Sequence, residues 1–143
     1  MNDILLKVQT YLDKVNKESI EISDTLVEEF GEACKSALRK QFSEKRNEGF
    51  KPRMSSIGRP LCQLQMESKN VKGEGQPYNT KMRNTFGDLI EALAIFVMKS
   101  AGVEVKDEQK KVKLKFKESE IEGRLDVKID EKVWDIKSAS PYS

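Results

Sequence analysis

Residues 121–137 read IEGRLDVKIDEKVWDIK. Ile121, Leu125, Val127 and Ile129 alternate with Glu122, Arg124, Asp126, Lys128 and Asp130. The alternation resumes in Val133-Trp134-Asp135-Ile136-Lys137 after a polar break at Asp130-Glu131. Side chains two apart on a strand share a face, so this pattern predicts two strands joined by a tight turn. Just upstream, Val112, Leu114 and Phe116 alternate with Lys111, Lys113, Lys115 and Lys117, which adds a strand before a turn near Glu118-Ser119. Three consecutive strands with short connections predict an antiparallel meander.

The period before residue 102 is helical. Ile4, Leu5, Val8, Leu12 and Val15 predict a short amphipathic helix over 3–17. A second helix is expected from about Thr25 to Glu48, with Thr25 and Glu28 at capping-box spacing and Gly49 beyond its end. Its apolar stripe is Leu26, Val27, Phe30, Ala33, Cys34, Ala37, Leu38 and Phe42. Residues 53–66 open as a loop and close as a short helix that Ser55 or Ser56 would cap, with Pro60 in the first turn. The Gly-, Asn- and Lys-rich stretch 68–79 reads as an exposed loop. A long helix follows from Thr80 to Ala101, with Met82, Phe86, Leu89, Ile90, Leu93 and Val97 on one face and Gly102 as its stop. Helices first and a sheet afterwards predict an α+β fold. At 143 residues the chain is expected to form a single domain, 1–143, with a helical region over 1–50 and a core over 51–143.

Composition removes whole classes of chemistry. There is no histidine, which excludes Ser-His-Asp and Cys-His catalysis and zinc held by imidazole. Two cysteines, Cys34 and Cys62, cannot build a disulfide framework or a four-cysteine iron–sulfur cluster. No apolar run approaches bilayer length, and Ile4-Leu5-Leu6 is too short for a signal-peptide core, so a reducing, cytoplasmic setting without membrane partners is expected. Lysine and arginine total 26 against 24 acidic residues, too even a balance to mark a nucleic-acid binder by charge alone.

Asp135 and Lys137 project from one strand face, and Asp126 lies on the neighbouring strand of the same hairpin. In the right register, two carboxylates and a lysine would meet on one patch. Like charges that close repel, a divalent cation relieves the repulsion, and oxygen ligands without imidazole or thiolate favour Mg²⁺ or Mn²⁺. On the long helix, Glu91 falls at the edge of the apolar stripe, with Gly87 one turn earlier leaving room beside it. Taken singly, these charges equally describe the wet face of a hairpin and an ordinary helix surface. The four strand lysines equally describe a solvated face, Ser55, Ser56 and Arg59 a helix start, Cys62 a small buried residue, and Trp134 a core or interface residue.

Taken together and in order, four segments resemble the PD-(D/E)xK nuclease core, and within it the RecB-like and phage-exonuclease branch. Gly123-Arg-Leu-Asp126, a hairpin, and Asp135-Ile-Lys137 followed by Ser138 match its acidic and lysine motifs. Gly87-Asp-Leu-Ile-Glu91 resembles its helical glycine-then-acid motif, and Ser55-Ser-Ile-Gly-Arg-Pro-Leu-Cys62 the serine-then-cysteine segment before it. The resemblance covers roughly residues 53–140 and implies a restriction-endonuclease-like core that hydrolyses DNA phosphodiester bonds with Mg²⁺ or Mn²⁺ and without an iron–sulfur cluster.

By that resemblance Glu91, Asp126, Asp135 and Lys137 are the expected catalytic residues. Glu91, Asp126, Asp135 and the Ile136 carbonyl would hold the metal. Ser55, Ser56, Arg59, Ser138 and Ser140 would contact DNA. Such nucleases continue beyond the lysine strand, whereas six residues follow Lys137 here. The expectation is therefore a core truncated at its C-terminal side: a fragment, a split gene product, or a chain completed in a homo-oligomer or by a complementing C-terminal chain. The host cytoplasm is the implied location if the chain is phage-encoded. The alternative reading is a catalytically inactive or split DNA-binding or assembly subunit of the same fold.

Overall fold

A computed structural model describes residues 2–43, 50, 53–69, 78–117 and 119–137. Four helices precede a small antiparallel β-region: α1 (Asn2–Lys17), α2 (Asp24–Phe42), α3 (Leu61–Ser68) and α4 (Tyr78–Ser100), then β1 (Lys111–Phe116), β2 (Ser119–Arg124), β3 (Val127–Ile129) and β4 (Lys132–Trp134). Among the described residues a 3-10 turn, Met54–Ser56, stands between α2 and α3. The fold is α+β, as the change of period predicts. No helix among the described residues is long and apolar enough to cross a membrane.

The sheet departs from a simple three-strand meander. The middle strand is divided at Leu125-Asp126, so β1 pairs with β2 and β3 with β4 as two separate two-stranded sheets. The division has a local cause. The chain before β1 runs antiparallel to the same middle segment, with Lys106 and Lys128 exchanging two backbone hydrogen bonds of 2.8 Å each. Between that pair and the Lys111–Arg124 pair, one strand advances five residues and the other four. The extra residue is a β-bulge, which interrupts the ladder and bends it. Asp107 and Gln109, at φ +53° and +50°, absorb the bend.

Both turns fit their pairing. Ile129 faces Lys132 across a two-residue loop in which Asp130 and Glu131 have φ of +48° and +61°. Two left-handed residues are what a type I′ hairpin requires. In the β1–β2 hairpin Phe116 faces Ser119, so Ser119 belongs to β2 rather than to the turn, and Lys117 has φ +53°.

The core is small. Val103, Val127 and Ile129 are buried, and Ile4, Ile95, Met98, Val105, Trp134 and Ile136 close around them. It therefore sits where the start of α1, the C-terminal half of α4 and the β3–β4 hairpin meet. Val127, fully enclosed, is its centre.

Helix α4 presents three different faces. Residues 85, 88, 92, 96 and 99 meet α2: Thr85 and Ala92 are buried, the Phe96 ring lies 5.7 Å from that of Phe30, and Lys40 reaches Asp88 at 2.8 Å. Lys99 joins Glu29 of α2 at 2.7 Å and Glu108 of the pre-β1 segment at 2.6 Å, so one ammonium ties three elements together. Residues 91, 95 and 98 face the core and the hairpin. Of the expected apolar stripe, Met82, Phe86, Ile90 and Leu93 are exposed, while Leu89 and Val97 are half-buried. The side that α2 covers is set by specific contacts: Asp88 finds Lys40 and Gln41 there, and Phe96 meets Phe30.

Other local expectations change too. Helix α2 begins one residue early, with Ser23 at its N-cap and no side-chain capping bond, so the Thr25–Glu28 box is not the cap. Its proposed extension to Glu48 and Gly49 lies outside the described residues. Ser55 and Ser56 belong to the 3-10 turn, and Pro60, not a serine, precedes α3. Cys62 is exposed instead of buried, because α3 leaves that side to solvent.

Two substitutions test this account. Val127→Ala removes the central side chain, and a loss of about 2 kcal/mol in urea unfolding is expected. Gly123 faces Met54: a Cβ there would lie 2.9 Å from Met54 Cγ and 3.2 Å from Met54 Cβ. Gly123→Ala is expected to destabilise by about 1 kcal/mol through overpacking, and Met54→Ala in the same chain to recover part of it.

Candidate functional site

The site grows out of the β3–β4 hairpin. Val127 pairs with Trp134, so one step further along the ladder Asp126 comes opposite Asp135. The ladder does not continue as strand there. Instead the Ile136 N–H donates to Asp126 Oδ2 at 2.9 Å, a side chain taking the place of a backbone acceptor. Trp134 and Ile136 turn toward the core, and alternation sends Asp135 and Lys137 to the other side. Lys137 Nζ lies 2.8 Å from Asp135 Oδ1.

Glu91 arrives from α4. It lies in line with Ile95 and Met98, whose packing on the core turns this side of the helix toward the hairpin. It is half-buried and accepts a hydrogen bond from the Gln109 side-chain amide. Gln109 in turn accepts from Arg124 Nη1 at 3.2 Å, and its backbone N–H donates to the Asp126 carbonyl at 2.8 Å. A Cβ added at Gly87 would meet nothing within 4 Å, so the space one turn before Glu91 is open. The other acid of the helical motif, Asp88, points away and is held by Lys40 and Gln41 of α2.

The electrostatics follow from this placement. Burial is the main cause that pushes the Glu91 carboxyl above the usual range; the Gln109 bond opposes it, and the charges of Asp126 and Asp88 add to it. Asp135 is held below its usual range, first by Lys137, with a hydrogen-bonding interaction from Asp126 contributing. Lys137 is raised, chiefly by its bond to Asp135, with Asp126 and Glu91 also favouring its charge. Each of the four groups thus acts on others of the set, and together they form one electrostatic unit.

The structure brings Glu91, Asp126, Asp135 and Lys137 to the same end of the hairpin. It does not bring three carboxylates close enough to hold a cation as they stand: among the described residues no such cluster exists. Asp126 is engaged by Ile136 N–H, Glu91 by Gln109 and Asp135 by Lys137.

The 53–62 segment approaches from the side. Arg53 forms a parallel bridge with Glu122, and Met54 covers Gly123, which places this turn against β2 just upstream of Asp126. Ser55 is exposed and Ser56 half-buried, while Arg59 pairs with Glu67 at 3.2 Å across α3. Arg59 is therefore engaged within its own segment. Ser138 and Ser140 lie outside the described residues.

Sequence reasoning missed Gln109 and Arg124. Arg124 stood inside a quoted motif but only as a spacer between Gly123 and Asp126. Gln109 lies between helix and strand, where no periodicity marks a position, and a left-handed glutamine has no sequence signature. No protein family, curated protein or solved structure matches this chain.

Because burial and neighbouring negative charge oppose ionisation of Glu91, its protonated form is the one that folding favours. That contribution is present below the unfolded value near 4.5 and is lost as pH rises through the raised folded value. Glu91→Gln is accordingly expected to unfold at a higher temperature than the parent at pH 8. The gap should narrow as pH falls toward 4.5, as followed by circular dichroism.

Proposed function

We propose that this chain is the core of a metal-dependent DNA nuclease of exonuclease type, acting on phosphodiester bonds at the Glu91, Asp126, Asp135 and Lys137 site. The observation that carries the reading is geometric: Ile136 N–H on Asp126, Lys137 on Asp135, and Gln109 between the Glu91 side chain and the Asp126 carbonyl gather three acids and a lysine from one helix and one hairpin. Their order along the chain, and the approach of the Met54–Ser56 turn to Gly123, agree with the motif order of the PD-(D/E)xK nucleases.

The donor set suits Mg²⁺ or Mn²⁺. Glu91, Asp126, Asp135 and the Ile136 carbonyl offer only hard oxygens, and Glu91 sits partly desolvated beside another acid, a repulsion that a cation would relieve. When bound, such a metal would supply a water of lowered pKa and charge stabilisation for the transferring phosphoryl group. The protein's own part is separate. Val127, Trp134 and Ile136 fix the hairpin from below, so that Asp126 and Asp135 are aimed before substrate arrives. Lys137, raised and mostly exposed, keeps its charge at neutral pH, which suits it to offset phosphate charge and orient a nucleophilic water more than to abstract a proton. Exonuclease action is inferred from the motifs alone.

The test is degradation of linear double-stranded DNA with Mg²⁺ or Mn²⁺. Asp126→Ala is expected to abolish it, and Lys137→Ala to slow it by at least about 10²-fold with the fold intact by circular dichroism. Variants that cut as fast as the parent would remove the assignment. Salt-sensitive DNA binding by a parent that never cuts would instead assign the chain to the inactive-subunit alternative.

A further inference from the structure

We propose that Lys111 and Arg124 form a phosphate-binding pair that holds the DNA backbone beside the site, a proposal that deepens the nuclease reading above and rests on it for the identity of the polyanion. The observation is a break in the charge pattern of one sheet face. Opposite residues on an antiparallel ladder point to the same side. On the β1–β2 ladder Lys115 faces Glu120 and Lys113 faces Glu122, and the Lys113 ammonium reaches Glu120 at 2.6 Å and Glu122 at 3.4 Å. The third pair on that face sets Lys111 opposite Arg124. Like charges directly across a ladder destabilise it. Both side chains are exposed, and among the described residues no acid forms a salt bridge with either. Solvation alone would accept an acid at position 111, and that acid would pair with Arg124 as Glu122 pairs with Lys113. An anionic ligand accounts for two cations there.

The pair lies at the end of the ladder nearest the site. Arg124 closes β2, two positions before Asp126. Its Nη1 donates to the Gln109 side-chain carbonyl at 3.2 Å, and the amide nitrogen of the same Gln109 donates to Glu91. One planar amide thus separates the guanidinium from the Glu91 carboxylate. Gln109 steadies Arg124 without neutralising it, because an amide oxygen carries no net charge. A guanidinium has five donors in a rigid fork, so this one bond leaves the others for phosphate oxygens. A strand that presents one phosphate to the acids would lay a neighbouring phosphate on Arg124 and Lys111. Other cations around the site are already engaged: Lys106 by Glu104, Lys110 by Asp107, Lys128 by Glu131 and Lys137 by Asp135.

The test is binding of a short fluorescent DNA duplex to the whole chain, followed by anisotropy in EDTA so that neither metal nor cleavage enters. Lys111→Gln and Arg124→Gln are each expected to weaken binding roughly three- to tenfold at about 0.1 M salt, and to flatten the dependence of log affinity on log salt by about one. Lys115→Gln removes the same charge from the same strand and face, and should stay within about twofold of the parent. Lys111→Glu places an opposite charge across from Arg124. It should raise the urea midpoint while weakening DNA binding more than Lys111→Gln does. A merely structural pair would not lose binding as it gained stability.

The proposal is overturned if both Lys111 variants bind DNA as the parent does, or if Lys115→Gln costs as much as Lys111→Gln, which would assign binding to diffuse charge. A parent that binds DNA through Lys111 and Arg124 yet never cuts it with Mg²⁺ or Mn²⁺ would uphold the phosphate pair and defeat the nuclease reading. A parent that cuts, with affinity undiminished in the variants, would do the reverse.

Discussion

The placement of every group at the site depends on strand alternation pinned by burial. In the β3–β4 hairpin, Val127, Ile129 and Trp134 meet Val103, Val105 and the α4 residues Ile95 and Met98, and Ile136 continues the same side past the end of β4. Side chains on a strand have a period of two, so a slip of one residue would carry every one of them into solvent. The hydrophobic driving force that buries the odd positions of β3 therefore aims Asp126 outward, and burial of Trp134 and Ile136 does the same for Asp135 and Lys137. The polar groups need no attraction for one another to be gathered; apolar burial on the opposite face is enough. Ile136 links the two demands directly, since its side chain serves the core while its N–H satisfies Asp126.

This arrangement explains why the hairpin was legible from sequence and the helical contribution less so. Alternation in 121–137 specified the strands and the turn at Asp130-Glu131, because a half-buried hairpin leaves a strong pattern; the facing of Asp126 toward Asp135 depended on the register, which the Val127–Trp134 pair supplies. The division at Leu125-Asp126 left no such trace. It arises from a partner segment, 106–110, whose pairing depends on a bulge formed by Asp107 and Gln109, neither of them a glycine. Tertiary pairing overrode the local period there.

On α4 the apolar pattern pointed to Met82, Phe86, Leu89, Ile90, Leu93 and Val97, yet Asp88 and Phe96 are the residues that meet Lys40 and Phe30 of α2. Hydrophobicity alone ranks a row of large side chains above a row of small ones. Specific pairs, Lys40–Asp88 and Phe30–Phe96, decide between them. Glu91 nevertheless reaches the hairpin because it shares a face with Ile95 and Met98, not because it borders the large apolar row.

The three-faced character of α4 makes its rotation about its own axis a mechanical variable. With side-chain termini some 6 Å from the axis, a roll of about 10° sweeps them through roughly 1 Å. Displacements of that size matter where ligands must converge on one point. The roll is set at a distance, by Phe30 against Phe96 and by the ammonium of Lys99 held between Glu29 and Glu108. Helix α2 thus holds α4 at the rotation that turns Glu91 toward the hairpin.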